Sequence, residues 1–199
     1  MGIIVDSVQK NGNRLYKVTS AASVLPVTVA ELKTFARIDS SYEDTLLTEF
    51  ITLATDACER YIGRALIEQS ITMYMDYLPD YIIDIPKVPV ISITTVKVLY
   101  EDGTSETISS TNYYLVQGEN ECKLCFKSGI NLPIGTDKIK GGYEFIYKAG
   151  YGAASTNVPA LILVAIKMWA AEMYDSRVPS TQPSPAVAKL LERYRIPVI

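Results

Sequence analysis

The sequence predicts an α+β protein: a small helical bundle, built from an N-terminal helix pair and C-terminal helices, with an inserted and mostly antiparallel β unit. Three observations predict it. Between residues 43 and 66, "EDTLLTEFITLATDACERYIGRAL", apolar residues recur at the helical period of about 3.6. From Ile67 the period changes to about 2 and holds, in short runs, to residue 152. After Pro159 a helical stretch returns, "ALILVAIKMWAAEMY", apolar on almost every side. The chain therefore divides into an N-terminal arm or hairpin over 1–27, a helical domain from 28–66 and 153–199, and a β unit over 67–152.

In chain order, "VQKNGNRLYKV" sets the turn dipeptide Asn11-Gly12 between short apolar stretches, which fits either a β-hairpin or an extended arm. Pro26 breaks the chain; Thr28 and Glu31 then form a capping box for a first helix carrying Leu32, Phe35 and Ala36 on one side and ending near Ile38. Ser40 or Ser41 is the expected N-cap of the second helix, with Glu43 and Asp44 in its first turn at the positive end of the dipole. At about 100° per residue, Leu46, Leu47, Phe50, Ile51, Leu53, Ala54, Ala57, Cys58, Tyr61 and Ile62 fill one half of that helix. Thr45, Thr48, Glu49, Thr52, Thr55, Asp56, Glu59 and Arg60 fill the other, and Gly63 supplies the left-handed stop. An apolar arc this wide needs more than one packing partner.

Strands follow at 67–77, "YIIDI", "VISITTVKVLY", "NYYLV", "CKLCF" and "GYEFIYKAGYG", with Asp102-Gly103 at a hairpin turn. The third helix, 159–174, has Pro159 in its first turn and only Lys167 and Glu172 as charges, so it must be nearly surrounded, and a neighbouring subunit is a natural source of part of the cover. "DSRVPSTQPSP" reads as a linker and "AVAKLLERYRIPVI" as a short last helix with a tail.

Composition removes whole classes of chemistry. The 199 residues contain no histidine, which excludes His-based triads, His-ligated metals and imidazole acid–base catalysis. The 19 basic and 22 acidic residues are interspersed, so no basic stripe exists to neutralise a phosphate backbone. The start, "MGIIVDSVQK", lacks the features of a secretion signal, and the most apolar stretch is too interrupted to span a bilayer, so no membrane role is expected. Three cysteines without such a signal read as reduced thiols.

The remaining candidates all have structural readings. Cys122 and Cys125 form a C-x-x-C, yet in a strand positions i and i+3 face opposite ways, and no second pair completes a metal site. A redox pair would need a helix N-terminus to lower the thiol pKa. Asp39, Glu43 and Asp44 have capping rather than cation-loop spacing, and the glycines of "KAGYG" lack a phosphate-loop pattern. The fourteen tyrosines suit ordinary sheet composition. Catalytic residues, metal ligands and cofactors are therefore all expected to be none. Arg37, Arg60 and Arg64 read either as solvated surface or as partners for an acidic neighbouring subunit.

"VTVAELKTFARIDSSYEDTLLTEFITLATDACERYIGRAL", with its short helix, "RID", "ED.LL" and "ER..GR.L", resembles the N-terminal half of the tailed-bacteriophage head–tail connector family, also described as head-completion or adaptor proteins. "VPALILVAIKMWAAEMYDSR" and "PAVAKLLERYR" resemble its C-terminal part, and the β unit is similar only in architecture. The resemblance implies a structural protein rather than an enzyme, located in the virion neck after assembly in the host cytoplasm. It implies a homo-oligomeric ring, a dodecamer in the family, under the portal protein. Such a ring extends the DNA channel, passes genomic DNA without specific binding, and docks a stopper or tail-completion protein. Subunit contacts are expected at Arg37, Arg60, Arg64, Ile162, Ile166 and Trp169. The "PSTQPSP" linker is expected to deliver Leu190, Leu191, Arg193, Tyr194, Arg195 and Ile199 to the portal, so that removing residues 180–199 would leave the fold intact. Alternatives are a stopper or tail-completion protein of the same particle, or a thiol-dependent enzyme using Cys122 and Cys125.

Overall fold

The computed structural model describes residues 14–78, 81–129 and 141–196. They form two compact units, one of residues 14–21, 68–78, 81–129 and 141–150, the other of 22–67 and 151–196. Among the described residues the first holds strands and short turns and the second is helical.

The β unit contains a five-stranded antiparallel sheet, in the order β1 (Arg14–Ser20), β2 (Gln69–Met75), β8 (Tyr143–Ala149), β4 (Val90–Leu99) and β5 (Ser105–Thr107). A second antiparallel sheet has the order β3 (Ile82–Asp84), β7 (Cys122–Phe126) and β6 (Tyr113–Gln117). β8 is central, paired with β2 and β4, and it alternates strictly: Tyr143, Phe145, Tyr147 and Ala149 are buried while Glu144, Ile146 and Lys148 are only half-buried. Side chains tie the two sheets together. Arg14 Nη1 donates to Asp84 O at 3.1 Å, Gln117 Nε2 to Val90 O at 2.9 Å, and the Tyr147 hydroxyl to Pro86 O at 2.7 Å. The Asp-Gly turn is as predicted: Gly103 has φ 86°, its N–H donates to Tyr100 O, and Asp102 Oδ1 accepts from the Thr104 backbone and hydroxyl. The residues read as an N-terminal arm or hairpin thus contribute an edge strand to this sheet, whereas the Asn11-Gly12 turn lies outside the described residues.

The helical unit holds α1 (Val29–Ala36), α2 (Asp44–Ile62), α3 (Ala160–Ser176) and α4 (Pro185–Leu191). α1 opens on the predicted capping box: Glu31 N donates to Thr28 Oγ1 at 3.2 Å and Thr28 N to Glu31 Oε2 at 2.8 Å. It ends at Arg37 in the left-handed region. Gly63 ends α2 at φ 75°, its N–H bonded to Glu59 O. Three expectations change. Phe35 is 45% exposed rather than packed beside Leu32. On α2, Leu53 is 43% exposed while Thr55 is buried, its hydroxyl satisfied by Ile51 O at 2.7 Å. The N-cap of α2 is Glu43, not Ser40 or Ser41; Ser40 instead accepts from Tyr42 N in a local turn.

α3 is the centre of the unit. Ile162, Ala165, Ile166, Trp169, Ala170 and Met173 are buried, and α1, α2 and α4 all pack on it. Leu161 stays 42% exposed and Leu163, Val164, Met168 and Ala171 are half-buried, whereas the cover of the buried face comes from the chain itself. Part of it is α4, whose Val187 and Leu191, four residues apart, are both fully buried. Trp169 Nε1 is the one buried side-chain donor without a partner among the described residues. Pro159 is the N-cap of α3, not inside it, and the bend before it needs glycine: at Gly152, φ 154°, a Cβ would meet Asn157 Oδ1 at 2.6 Å.

Removing residues 180–199 therefore strips Val187 and Leu191 from the core. Leu191→Ala is expected to lower unfolding free energy by about 2–5 kcal/mol, measured by chemical denaturation, and the truncated chain should fail to give a cooperative helical transition.

Candidate functional site

Two clusters close the helical bundle, one at each end of α2, and between them they decide which predicted contact residues remain outside. The first lies where α2 begins and α3 ends. Glu43, freed from capping its own helix, accepts a hydrogen bond from the Tyr174 hydroxyl and is paired with Arg177 Nη2 at 2.8 Å through Oε1 and 3.0 Å through Oε2. The Arg177 guanidinium also sits 4.6 Å from the Tyr174 ring centre. The Tyr174 hydroxyl first, and Arg177 second, hold the Glu43 carboxyl below its ordinary value, and the same bond raises the Tyr174 phenol. Asp44, next in sequence, pairs with Lys33 Nζ at 2.9 Å and joins α2 to α1. The acidic cluster of the α1–α2 junction is thus a pair of helix ties.

The second cluster lies beyond Gly63. Arg64, only 3% exposed, donates through Nε to Tyr194 O at 2.6 Å. Ile196 N donates to Ile62 O at 2.9 Å, and Arg195 lies 5.1 Å from the Tyr61 ring centre. A short 3-10 turn, Glu192–Tyr194, carries the chain from α4 into this clasp. A 2.6 Å charge-assisted bond to a main-chain carbonyl satisfies the buried guanidinium in part and pins the C-terminal segment.

These ties sort the predicted contact residues. Ile162, Ile166 and Trp169 are enclosed in the protomer core, and Arg64 is spent on the chain's own carbonyl, so none of the four offers a surface to another subunit. Arg37 and Arg60 are exposed. Of the residues assigned to the portal, Leu191 is in the core, Leu190 and Tyr194 are half-buried against it, Arg193 and Arg195 are exposed, and Ile199 lies outside the described residues. The linker returns α4 to its own bundle instead of extending it. Surface apolar residues include Phe35, expected on the packed side of α1, and also Leu161, Val178 and Tyr42, the last 99% exposed. Phe35 borders a shallow depression of about 410 Å³ lined also by Ala30, Glu31, Thr34 and Lys167. Periodicity could not flag it, because a short helix packed on α2 and α3 still leaves a flank uncovered.

Chemistry finds little purchase here. Cys58, Cys122 and Cys125 are buried and unbridged. Burial pushes the Cys58 thiol up to about 12 and the Cys122 thiol up to about 11, which opposes thiolate formation near neutral pH. Among the described residues no cluster of carboxylates and thiols could hold a metal ion, and no helix is long and apolar enough to cross a membrane.

Residues 26–132 match the family described as phage gp6-like head-tail connector protein. The chain belongs to that family. The match covers α1, α2 and the strands from β2 to β7, so it reaches well into the β unit, where the sequence resemblance was only architectural. No curated protein matches the chain by sequence. Among solved structures, a chain of the virion of a native gene transfer agent particle is 23% identical with a TM-score of 0.75, over 90% of this chain and 94% of that one. A chain in the neck of an empty gene transfer agent particle, computed with C6 symmetry, is 22% identical with a TM-score of 0.78 over 91% and 95%. A chain in the neck of the native particle, computed with C12 symmetry, is 22% identical with a TM-score of 0.75 over 91% and 94%. At this identity the likeness shows the fold alone, over 90–91% of the chain.

Two measurements test the clusters. Glu43→Gln should lower the thermal midpoint at pH 7. Because the folded carboxyl lies below the ordinary 4.5, its contribution is present above pH 4.5 and lost as pH falls through the folded value, so wild type and variant should converge in acid. Native protein at pH 8 should leave Cys58 and Cys122 unlabelled by a maleimide over minutes, with labelling appearing on unfolding; fast native labelling of either would contradict the burial argument.

Proposed function

We propose that this connector is a structural neck protein of a tailed phage or related particle. Its copies form a closed ring beneath the portal, extend the DNA channel and present a docking surface to a stopper or tail-completion protein. The observation that carries this reading is the family match over residues 26–132. The neck particles computed with C6 and C12 symmetry support a ring of matching rotational order, with twelve copies as the expected number. A ring is closed by heterologous contacts, so each copy must offer two different faces. Arg37 and Arg60, exposed on α1 and α2, are the proposed charged contacts between subunits. Arg193 and Arg195, exposed beside the clasp, are the proposed portal contacts. The net charge of −3 suits a lumen through which DNA slides without being held.

Mixing the protein with its cognate portal and imaging the particles should give a ring on the portal, and the double reversal Arg193→Glu with Arg195→Glu should weaken co-sedimentation at least about tenfold with little change in thermal midpoint. Binding only to heads that already carry a connector would assign the chain to the stopper position instead. Unchanged binding by the double variant would remove the arginines from the portal surface.

A further inference from the structure

Strand edges invite pairing with other chains, and folded proteins guard them with charges, bulges or brevity. Among the described residues, three of the four edges in the β unit are guarded in this way. β1 carries Arg14 and Lys17 and a register shift between Val18 and Ser20. β3 is three residues long, ends in Asp84 and has the Asp84 carbonyl taken by Arg14. β5 is three residues long with Glu106 at its middle. β6, "YYLVQ", is five residues with no charge, proline or bulge, and leaves Tyr114 51% and Val116 50% exposed.

The hydrogen-bond pattern shows which atoms that edge offers. Lys127 N donates to Asn112 O and Gly118 N to Glu121 O across the β6–β7 hairpin. In an antiparallel pair bonded residues alternate with unbonded ones, so Tyr114 and Val116 exchange bonds with Cys125 and Lys123, and the main-chain groups of Tyr113, Leu115 and Gln117 point to the open side. Among the described residues no main-chain bond reaches those three; of their side chains, Gln117 donates to Val90 O and the Tyr113 ring packs edge-on against Phe126.

We propose that β6 pairs with β6 of a second copy of this chain, antiparallel about Leu115. That register sets Tyr113 against the second copy's Gln117 and Leu115 against its own counterpart, so every outward N–H and C=O of the three residues gains a partner. Tyr114 falls opposite the second copy's Val116, an aromatic and β-branched cross-strand pair, and extends the row in which Tyr114, Cys125 and Ile82 lie side by side. With no charge in the strand, self-pairing sets no like charges opposite each other. The antiparallel arrangement also carries the acidic turns at Glu119 and Glu121 to opposite ends. Pairing of two five-residue strands falls below the roughly 1,200 Å² of a stable interface, so the pair is reversible. It is isologous, unlike the contacts of a ring, and belongs to the free protein before assembly. It does not rest on the ring reading.

The test is sedimentation of the full chain without portal, from micromolar to millimolar concentration, with residue-resolved amide exchange. The expected result is a monomer–dimer equilibrium weakened roughly tenfold by Val116→Lys and unaffected by Thr107→Lys on the β5 edge. The amides of Tyr113, Leu115 and Gln117 should gain protection with concentration while those of Tyr114 and Val116 do not change. A monomer throughout the range, a dimer indifferent to Val116→Lys, or protection confined to other residues would each overturn the proposal. A neck ring that still forms on the portal in those cases would leave the proposed function standing.

Discussion

Burying α3 is the constraint around which the helical unit is arranged. A helix whose only charges are Lys167, Glu172 and Asp175 must bury most of its length, and its core face, Ile162, Ala165, Ile166, Trp169, Ala170 and Met173, is enclosed by helices of the same chain. α2 supplies the largest share, which is why its apolar arc is so wide. α1 and α4 cover what α2 cannot reach. Because α4 follows a proline-rich linker, the enclosure holds only if the segment after it is pinned, and Arg64 does this by donating to Tyr194 O.

The two clusters at the ends of α2 show how a buried core sets the surface. Glu43 gives up its capping role to hold Tyr174 and Arg177, and Arg64 gives up solvent to hold the C-terminal segment. Both residues would pass for surface charges in the sequence, and both are internal ties. What remains outside is the set from which a connector can draw its contacts: Arg37, Arg60, Arg193 and Arg195 among the charges, and Phe35, Leu161 and Val178 among the apolar side chains. The buried face of the helical unit is enclosed within one chain, so contacts with other molecules must be drawn from these exposed side chains.

The β unit follows a different logic. Its sheets are built from alternating strands whose edges are protected one by one, by charge, by shortness or by a side-chain bond, except at β6. Such an exception has a physical meaning because unpaired main-chain groups in an uncharged strand carry both the hydrogen-bonding capacity and the apolar area that pairing requires.

Local pattern was enough to locate most elements, though not the strand β5 or the start of α2. The Thr28–Glu31 box, the Gly63 stop, the Asp102-Gly103 turn, the switch of period at Ile67 and the return of a helix after Pro159 are all short-range signals, and short-range signals are written in adjacent residues. The family resemblance was legible for the same reason, in the helix pair and its caps. What local pattern could not supply was partnership. Leu53 and Thr55 exchange the sides that amphipathicity assigns them, Ile162, Ile166 and Trp169 turn inward, and Leu191 returns to the core instead of leaving it. Periodicity says that a side chain will be buried, but whether its cover comes from this chain or another depends on where distant segments meet, and only the tertiary structure brings residue 64 to residue 194.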